Sequence, residues 1–400
     1  MVREYAAERL EESGEAERVK GWFLDYYLAL TVAAQPHLVG ADQKRWLDVL
    51  EGEHDNLRAA LTWALECGDI ERGVRIACAL NRFWYIRGHF NEGLRWLEAA
   101  LLKVEGCPVP RPLLIDALNA ASWLAIGRSD YDRATRWLNR SLALAREEGD
   151  PKSIADTLHH MAVMLVYTGK HSQARQLYQE ALSLRRELGD RSGMARTLGN
   201  LAGVAMHLGD LEEAYTLFRE TLSLFNELGD RWHQALALSN LGHVTLRQGD
   251  YNQATAFCQE SLELDEAAVA GRGIIFANTS NCQGDIARYQ GDYEGALRLY
   301  RASLEAANEL DFQFVIGLDL MGLACLWAQV GQPERAATFF GALDGLIEQG
   351  TGAILLPVDK PEHDRYLAAV RAALNEPTFK RVWAAGRAMN VDEIVVYAQT

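Results

Sequence analysis

The chain has 400 residues, 49% of them hydrophobic and 24% charged, with a formal net charge of −15. Such a balance is that of an ordinary soluble globular chain, and its acidity argues against direct nucleic-acid contact, which needs clustered Lys and Arg. No run of 18 apolar residues occurs, so no membrane span is expected.

The first twenty residues, MVREYAAERLEESGEAERVK, are charged and amphipathic rather than signal-like. Residues 1–66 read as three or four amphipathic helices, one opening near Glu53-His54-Asp55. Residues 67–107 read as a helical hairpin with a heavy aromatic load in Phe83, Trp84, Tyr85 and Trp96. That load has two readings: a packed cap over the first regular repeat, or a hydrophobic partner site. Cys107-Pro108-Val109-Pro110-Arg111-Pro112 is a stiff break.

Beyond the break, residues 111–349 carry an internal repeat of 40 residues. Gly-Asp closes a segment at 149–150, 189–190 and 229–230. A mid-unit mark stands at Gly169-Lys170, Gly209-Asp210 and Gly249-Asp250, with Ser129-Asp130 in the same register. A fixed period of this size predicts stacked helical hairpins. After the mid-unit turn comes a small residue, namely Ala134, Ala174, Ala214, Ala254, Ala296 and Ala336, with Gly93 in the weaker preceding unit. Closely crossing helices need such a residue at their contact. Four positions on lies a bulkier residue on the same face: Leu138, Tyr178, Phe218, Cys258, Tyr300 and Phe340. First helices are expected near 152–168, 192–208, 232–248, 273–290 and 314–330. Second helices are expected near 171–187, 211–227, 251–266, 293–309 and 333–347. The register slips by two residues near Gly271, which reads as a longer turn. After Gly350 comes an apolar loop, Ala353-Ile354-Leu355-Leu356-Pro357. Residues 350–400 then read as a helical cap with short helices near 361–374, 376–388 and 391–399. Asn390 and Glu393 make a capping box for the last.

Small residue, Gly-Asp-Tyr turn, then Ala and Tyr or Phe: this order resembles the tetratricopeptide repeat, with units longer than usual and without the family's early tryptophan. The resemblance implies an all-α, right-handed superhelical solenoid of about six hairpins, with helical caps at both ends. The flanks extend it. REYAAERLEESGEAE, EHDNLRAALTWALE and RFWYIRGHFNEGLRWLEAAL, with the ending from ERAATFFGAL to NVDEIVVYA, are similar to the sensor arm of STAND-class bacterial regulators. In that class an NB-ARC-like ATPase precedes such an arm, and LuxR-type or MalT-like relatives can follow it with a DNA-binding helix-turn-helix. No Walker-type phosphate loop falls within these residues: Tyr167-Thr168-Gly169-Lys170 is an interhelical turn with Met164 where the loop glycine would be. Neither role therefore attaches to a residue here.

Chemistry is otherwise sparse. The ten histidines include no His-Glu-x-x-His and no zinc-finger spacing. His54-Asp55 and His363-Asp364 lack the companion histidines of a metallohydrolase and read as residues near helix starts. His159-His160 reads as one core-facing and one groove-facing ring. Cys67, Cys78, Cys107, Cys258, Cys282 and Cys325 are scattered through apolar stretches, as free thiols in a reducing cytoplasm would be. The chain reads as non-catalytic, with no cofactor and no metal.

In tetratricopeptide arrays the first helix lines the concave groove, so the resemblance implies a strip of partner-binding positions. It begins with Asp116, Asn119 and Trp123 and continues through Asp156, His159, Val163 and Tyr167. Arg196, Gly199, Met206 and His207 follow, then Ser239, His243 and Arg247. Asn278, Asn281, Asp285, Arg288 and Tyr289 complete it. Asn, Arg and His can hydrogen-bond an extended peptide or a small effector while rings stack on it. The expected role is the sensor or protein-interaction arm of a regulator. A free-standing assembly scaffold or co-chaperone-like adaptor is the second reading, and a hydrolase on a helical scaffold the third.

Overall fold

The computed structural model describes residues 12–38, 42–66, 68–128, 130–269, 273–310 and 312–400. The expectations placed on Ser129, on the slip at Gly271 and on the first eleven residues lie outside them. The described residues are helical, with no strand among them. They divide into two compact units, Met1–His160 and Met161–Thr400.

The first unit contains α1 (Ala16–Ala34), a 3-10 turn (Gln35–His37), α2 (Gln43–Gly52), α3 (His54–Glu66), α4 (Ile70–Ile86), α5 (Phe90–Val104), α6 (Arg111–Gly127) and α7 (Tyr131–Glu148). The aromatic hairpin is α4 and α5. Phe83 and Trp84 are buried in it, while Tyr85 and Trp96 are half-buried. A Cβ on Gly93 would fall 2.6 Å from the Trp84 ring and 2.7 Å from Leu124, so a glycine lets the indole wedge between α5 and α6.

The division falls within α8 (Pro151–Tyr167). The second unit holds α9 (His171–Leu188) and then helical hairpins: α10 (Arg191–Leu208) with α11 (Leu211–Leu228), α12 (Arg231–Arg247) with α13 (Tyr251–Val269), α14 (Ile274–Gln290) with α15 (Tyr293–Glu309), and α16 (Gln313–Gln329) with the helix after it. α17 (Pro333–Glu348), α18 (Lys360–Ala373), α19 (Glu376–Ala388) and α20 (Val391–Gln399) close it. Every expected helix of the array and the cap is present, its ends within three residues of those read from the period.

The Gly-Asp signature has a backbone cause. Gly189 ends α9 at φ +66°, a conformation that favours a residue without Cβ. The next amide, of Asp190, returns to the Arg185 carbonyl at 3.0 Å. Asp190 then accepts the Gly193 amide at 2.9 Å and caps α10. Asp130, Asp230 and Asp292 cap their helices likewise. The small-then-bulky pattern is the core. Ala134, Ala174, Ala214, Ala254, Ala296 and Ala336 are wholly buried, and Leu138, Tyr178, Phe218, Cys258, Tyr300 and Phe340 are buried beside them. Tyr300 lies against two glycines of first helices: a Cβ on Gly284 would sit 2.8 Å from its ring, and one on Gly322 2.5 Å. The cap packs on glycines too, with Gly386 of α19 set against the backbone of Thr338 in α17. Asn390 and Glu393 form the expected capping box at α20.

Candidate functional site

The first-helix positions fall into three settings. The asparagines lie between helices rather than facing an open groove, which corrects the expectation placed on Asn119, Asn278 and Asn281. In the first unit Asn119 is buried, donates to Thr157 Oγ1 at 3.2 Å and accepts from Ser141 at 2.9 Å. Asn278 donates to Ser239 at 2.9 Å, and Asn281 to Asp319 at 2.8 Å. Thr157, Ser239 and Asp319 each lie about one repeat from their asparagine, so the amides stitch successive first helices together, while Ser141 joins from α7. The residue type was suited to a peptide, but a first helix also meets its neighbours one unit on, and the amide is used there. Ser303 adds a second donor to Asp319 at 2.8 Å. Burial pushes the Asp319 carboxyl well above the ordinary carboxylate range, against the pull of those two donors.

The histidines are also interior, a second correction. His159, His207 and His243 are buried. His243 Nε2 donates to the Asn278 carbonyl at 3.0 Å. His207 packs edge-on to His171, with ring centroids 5.3 Å apart. Burial lowers His207 to about 3, with neighbouring His171 and Arg247 adding to it. Burial and Arg247 lower His243 to about 4. The His207 and His243 imidazoles are neutral at pH 7 and offer no charge to a partner. Ser239 is buried and Met206 packs in the core. In the first unit, Trp123 is half-buried against Tyr85 and His160, at 5.1 and 5.5 Å, and burial raises Asp116. Asp156 and Tyr167 are half-buried, Val163 is buried, Gly199 is half-buried and Arg196 is exposed.

The third setting forms the site. Arg247, Asp285, Arg288 and Tyr289 converge on a segment of the chain itself, which the period did not reveal. After α17 the chain runs back over the first helices of the second unit. Ala353 and Leu356 are buried, and Ala353 packs on Gly317 of α16. The Val358 amide donates to the His207 carbonyl at 3.2 Å. Arg247 donates to both Asp359 oxygens, at 2.9 and 3.2 Å. Arg288 donates to Glu362 Oε1 at 3.1 Å, and Tyr289 to Glu362 Oε2 at 2.8 Å. Asp285 orients this cluster: it accepts from Arg288 at 3.2 Å and from Tyr300 at 2.6 Å. The Arg288 guanidinium also stacks over the Tyr289 ring at 4.3 Å. Burial raises Asp359 while Arg247 works against it. Residues 351–359 and the first turn of α18, which carries Glu362, thus form a strap held by two guanidiniums, one phenol and one backbone bond.

Such an arrangement captures carboxylates. Arg288 is only 2% exposed as a side chain, so it is desolvated and fixed, and a fixed fork binds a carboxylate with little entropy cost. The sequence carried a partial signal in the apolar run Ala353–Pro357 followed by Asp359 and Glu362. No helix among the described residues is long and apolar enough to cross a membrane.

Comparison with known proteins agrees with the fold. Residues 113–187 and 193–267 match the tetratricopeptide repeat family. The chain is 35% identical over 167 residues to proteins of Mycobacterium bovis and Mycobacterium tuberculosis described as HTH-type transcriptional regulators. That match takes in 39% of this chain, which spans 18% of the length of those relatives. Among solved structures, NprR in complex with its cognate peptide NprX superposes with a TM-score of 0.57 at 17% identity, over 96% of this chain and all of that one. A STAND protein with a tetratricopeptide repeat sensor, from Pyrococcus horikoshii, superposes with a TM-score of 0.50 at 12% identity, over 84% of this chain and 54% of the other. Identities this low establish the fold. Residues 113–187 and 193–267 are tetratricopeptide repeats, and the described chain has the fold of a tetratricopeptide-like helical array.

Proposed function

We propose that this chain is the non-catalytic sensor and interaction arm of a cytoplasmic regulator, and that it captures an extended acidic peptide or protein segment in the second unit by displacing its own strap. The observation that carries the reading is the double anchor: Asp359 on Arg247, and Glu362 on Arg288 and Tyr289. A competitor that presents two carboxylates three residues apart meets donors already in place. Because the strap and the competitor exclude one another, binding changes the chain's state: the ligand favours the open form and the strap the closed one. Support for a peptide as the occupant comes from NprR, solved with its cognate peptide. Support for a sensor role comes from the STAND neighbour with its tetratricopeptide sensor, and for a regulator from the mycobacterial relatives.

The test uses a fluorescent synthetic peptide with the sequence of residues 351–364. Its anisotropy is measured against the wild-type chain and against an Asp359→Asn/Glu362→Gln variant, whose strap has lost its carboxylates. The variant should bind the peptide about tenfold more tightly, since a strap that closes the site nine times in ten lowers apparent affinity by that factor. Adding Arg247→Gln to the variant should abolish the gain. Equal, weak binding by all three chains would sink the proposal.

A further inference from the structure

The turns of the first unit gather a second set of groups that the strap site does not use. Glu51 lies near the end of α2, His54 opens α3, and His89 stands in the turn before α5. One donor atom from each lies within 4.8 Å of the other two. His54 Nδ1 is 3.6 Å from Glu51 Oε1, and His89 Nε2 is 3.3 Å from the same oxygen. The two imidazole centroids are 4.7 Å apart. Donors at about 2.1 Å from a tetrahedral zinc stand roughly 3.4 Å from one another, so these gaps already have the spacing of a coordination shell.

A second observation concerns the other edge of His54. Its side chain is 9% exposed, and Nε2 lies 3.2 Å from Glu92 Oε1 yet makes no hydrogen bond there. Glu92 is itself fixed by Arg58, which donates to both its oxygens at 2.7 and 2.6 Å. A buried imidazole with one edge toward a carboxylate and the other toward a His–Glu pair has the layout of a metal ligand oriented from behind.

We propose that Glu51, His54 and His89 form a binding site for a divalent cation of the zinc type. The Glu92 carboxylate, 3.2 Å from Nε2, favours the tautomer protonated on that edge, which leaves the Nδ1 lone pair for the metal. Two nitrogens and one carboxylate oxygen suit zinc or cobalt better than calcium or magnesium, which take oxygen shells. Three protein donors leave one position to water on the side where Glu51 and His89 are partly exposed. Arg87 now lies 3.7 Å from Glu51 and also bonds Asp48. The cation takes over the neutralisation of Glu51, and Arg87 remains with Asp48. Loading joins the α2–α3 turn to the α4–α5 turn, so the metal acts as a staple in the first unit.

The test titrates the metal-stripped full chain with zinc by calorimetry, in a Cys107→Ser background that removes the one thiol exposed among the described residues. Cobalt is followed in parallel by its visible absorption. One equivalent should bind, with a four-coordinate cobalt spectrum and no thiolate charge-transfer band. His89→Ala and Glu51→Gln should each weaken binding about tenfold or more, and Arg87→Ala should strengthen it. His89 is partly exposed, so its removal leaves the helices intact, which far-ultraviolet circular dichroism confirms. Absence of stoichiometric binding, affinity unchanged in His89→Ala, or a thiolate band would each overturn the site.

Discussion

Asn278 and Arg247 sit on neighbouring first helices of the second unit, α14 and α12, and use their donors in different ways. Asn278 reaches Ser239 one repeat back, and Asn281 reaches Asp319 one repeat on. Arg247 and Arg288 instead reach Asp359 and Glu362, in a segment outside the repeat. The first kind of contact recurs with the period and belongs to the stacking of hairpins. The second occurs once, and only part of the chain depends on it. A polar residue on a first helix is therefore not by itself a groove residue: what decides is whether its partner lies one unit away or beyond the array.

The comparison breaks most violently where a recurring contact is removed. Phe218 is 1% exposed between α11 and its neighbours. Phe218→Ala should cost about 3–5 kcal/mol in urea unfolding followed by circular dichroism, since it deletes a ring from a filled core. A cost below about 1 kcal/mol would show that the repeats do not share one stacked core.

Next in size is the buried Asp319 network. Asn281→Ala leaves the carboxyl one donor short and should cost about 1–3 kcal/mol. The pH dependence has a definite sign. Asp319 has its folded pKa raised above the ordinary 3.8 by burial, so the unfolded chain releases its proton first. Stability falls as pH rises from 3.8 toward the raised value. Asp319→Asn should remove that fall. His207 and His243 work in the opposite sense. Their folded values, about 3 and about 4, lie below the ordinary 6.5, so stability is complete above 6.5 and is lost as pH drops toward 4. A His207→Gln/His243→Gln chain should show a flatter unfolding midpoint between pH 6.5 and 4, whatever its absolute stability. Midpoints that drop as steeply as in the wild type would place those rings in water.

What could be read in advance follows the same division. The alanines at 134, 174, 214, 254, 296 and 336 and the ring or thiol four residues later were visible because each repeats the same physical demand. Gly189 and Asp190 were visible because a left-handed C-terminus and an N-cap are local demands. The strap left only a trace, because docking of residues 351–362 depends on distances that no local pattern encodes. Asn119, Asn278 and Asn281 were assigned to a groove because helix periodicity tells which face a residue is on, but not how close the next first helix lies. Burial of His207 and His243 has the same origin.

The smallest global effect belongs to the strap, and it is the sharpest test of the division. Arg247→Gln removes both bonds to Asp359, while the backbone bond from Val358 and the Glu362 anchor remain. An unpaired buried carboxylate in a fixed core would cost several kcal/mol. Asp359 has an escape, because its segment can lift into water, so the penalty is capped at the docking free energy of the strap. The unfolding midpoint should therefore shift by about 1 kcal/mol or less, whereas amide exchange in residues 353–360 should speed up about tenfold and exchange within α11 and α12 should not change. Tyr289→Phe, which removes one bond to Glu362, should produce a weaker version of the same local pattern. Equal acceleration in the strap and in α12 would mean that Arg247 serves the stacked hairpins as Asn278 does, and the distinction between recurring and single contacts would fail at that position.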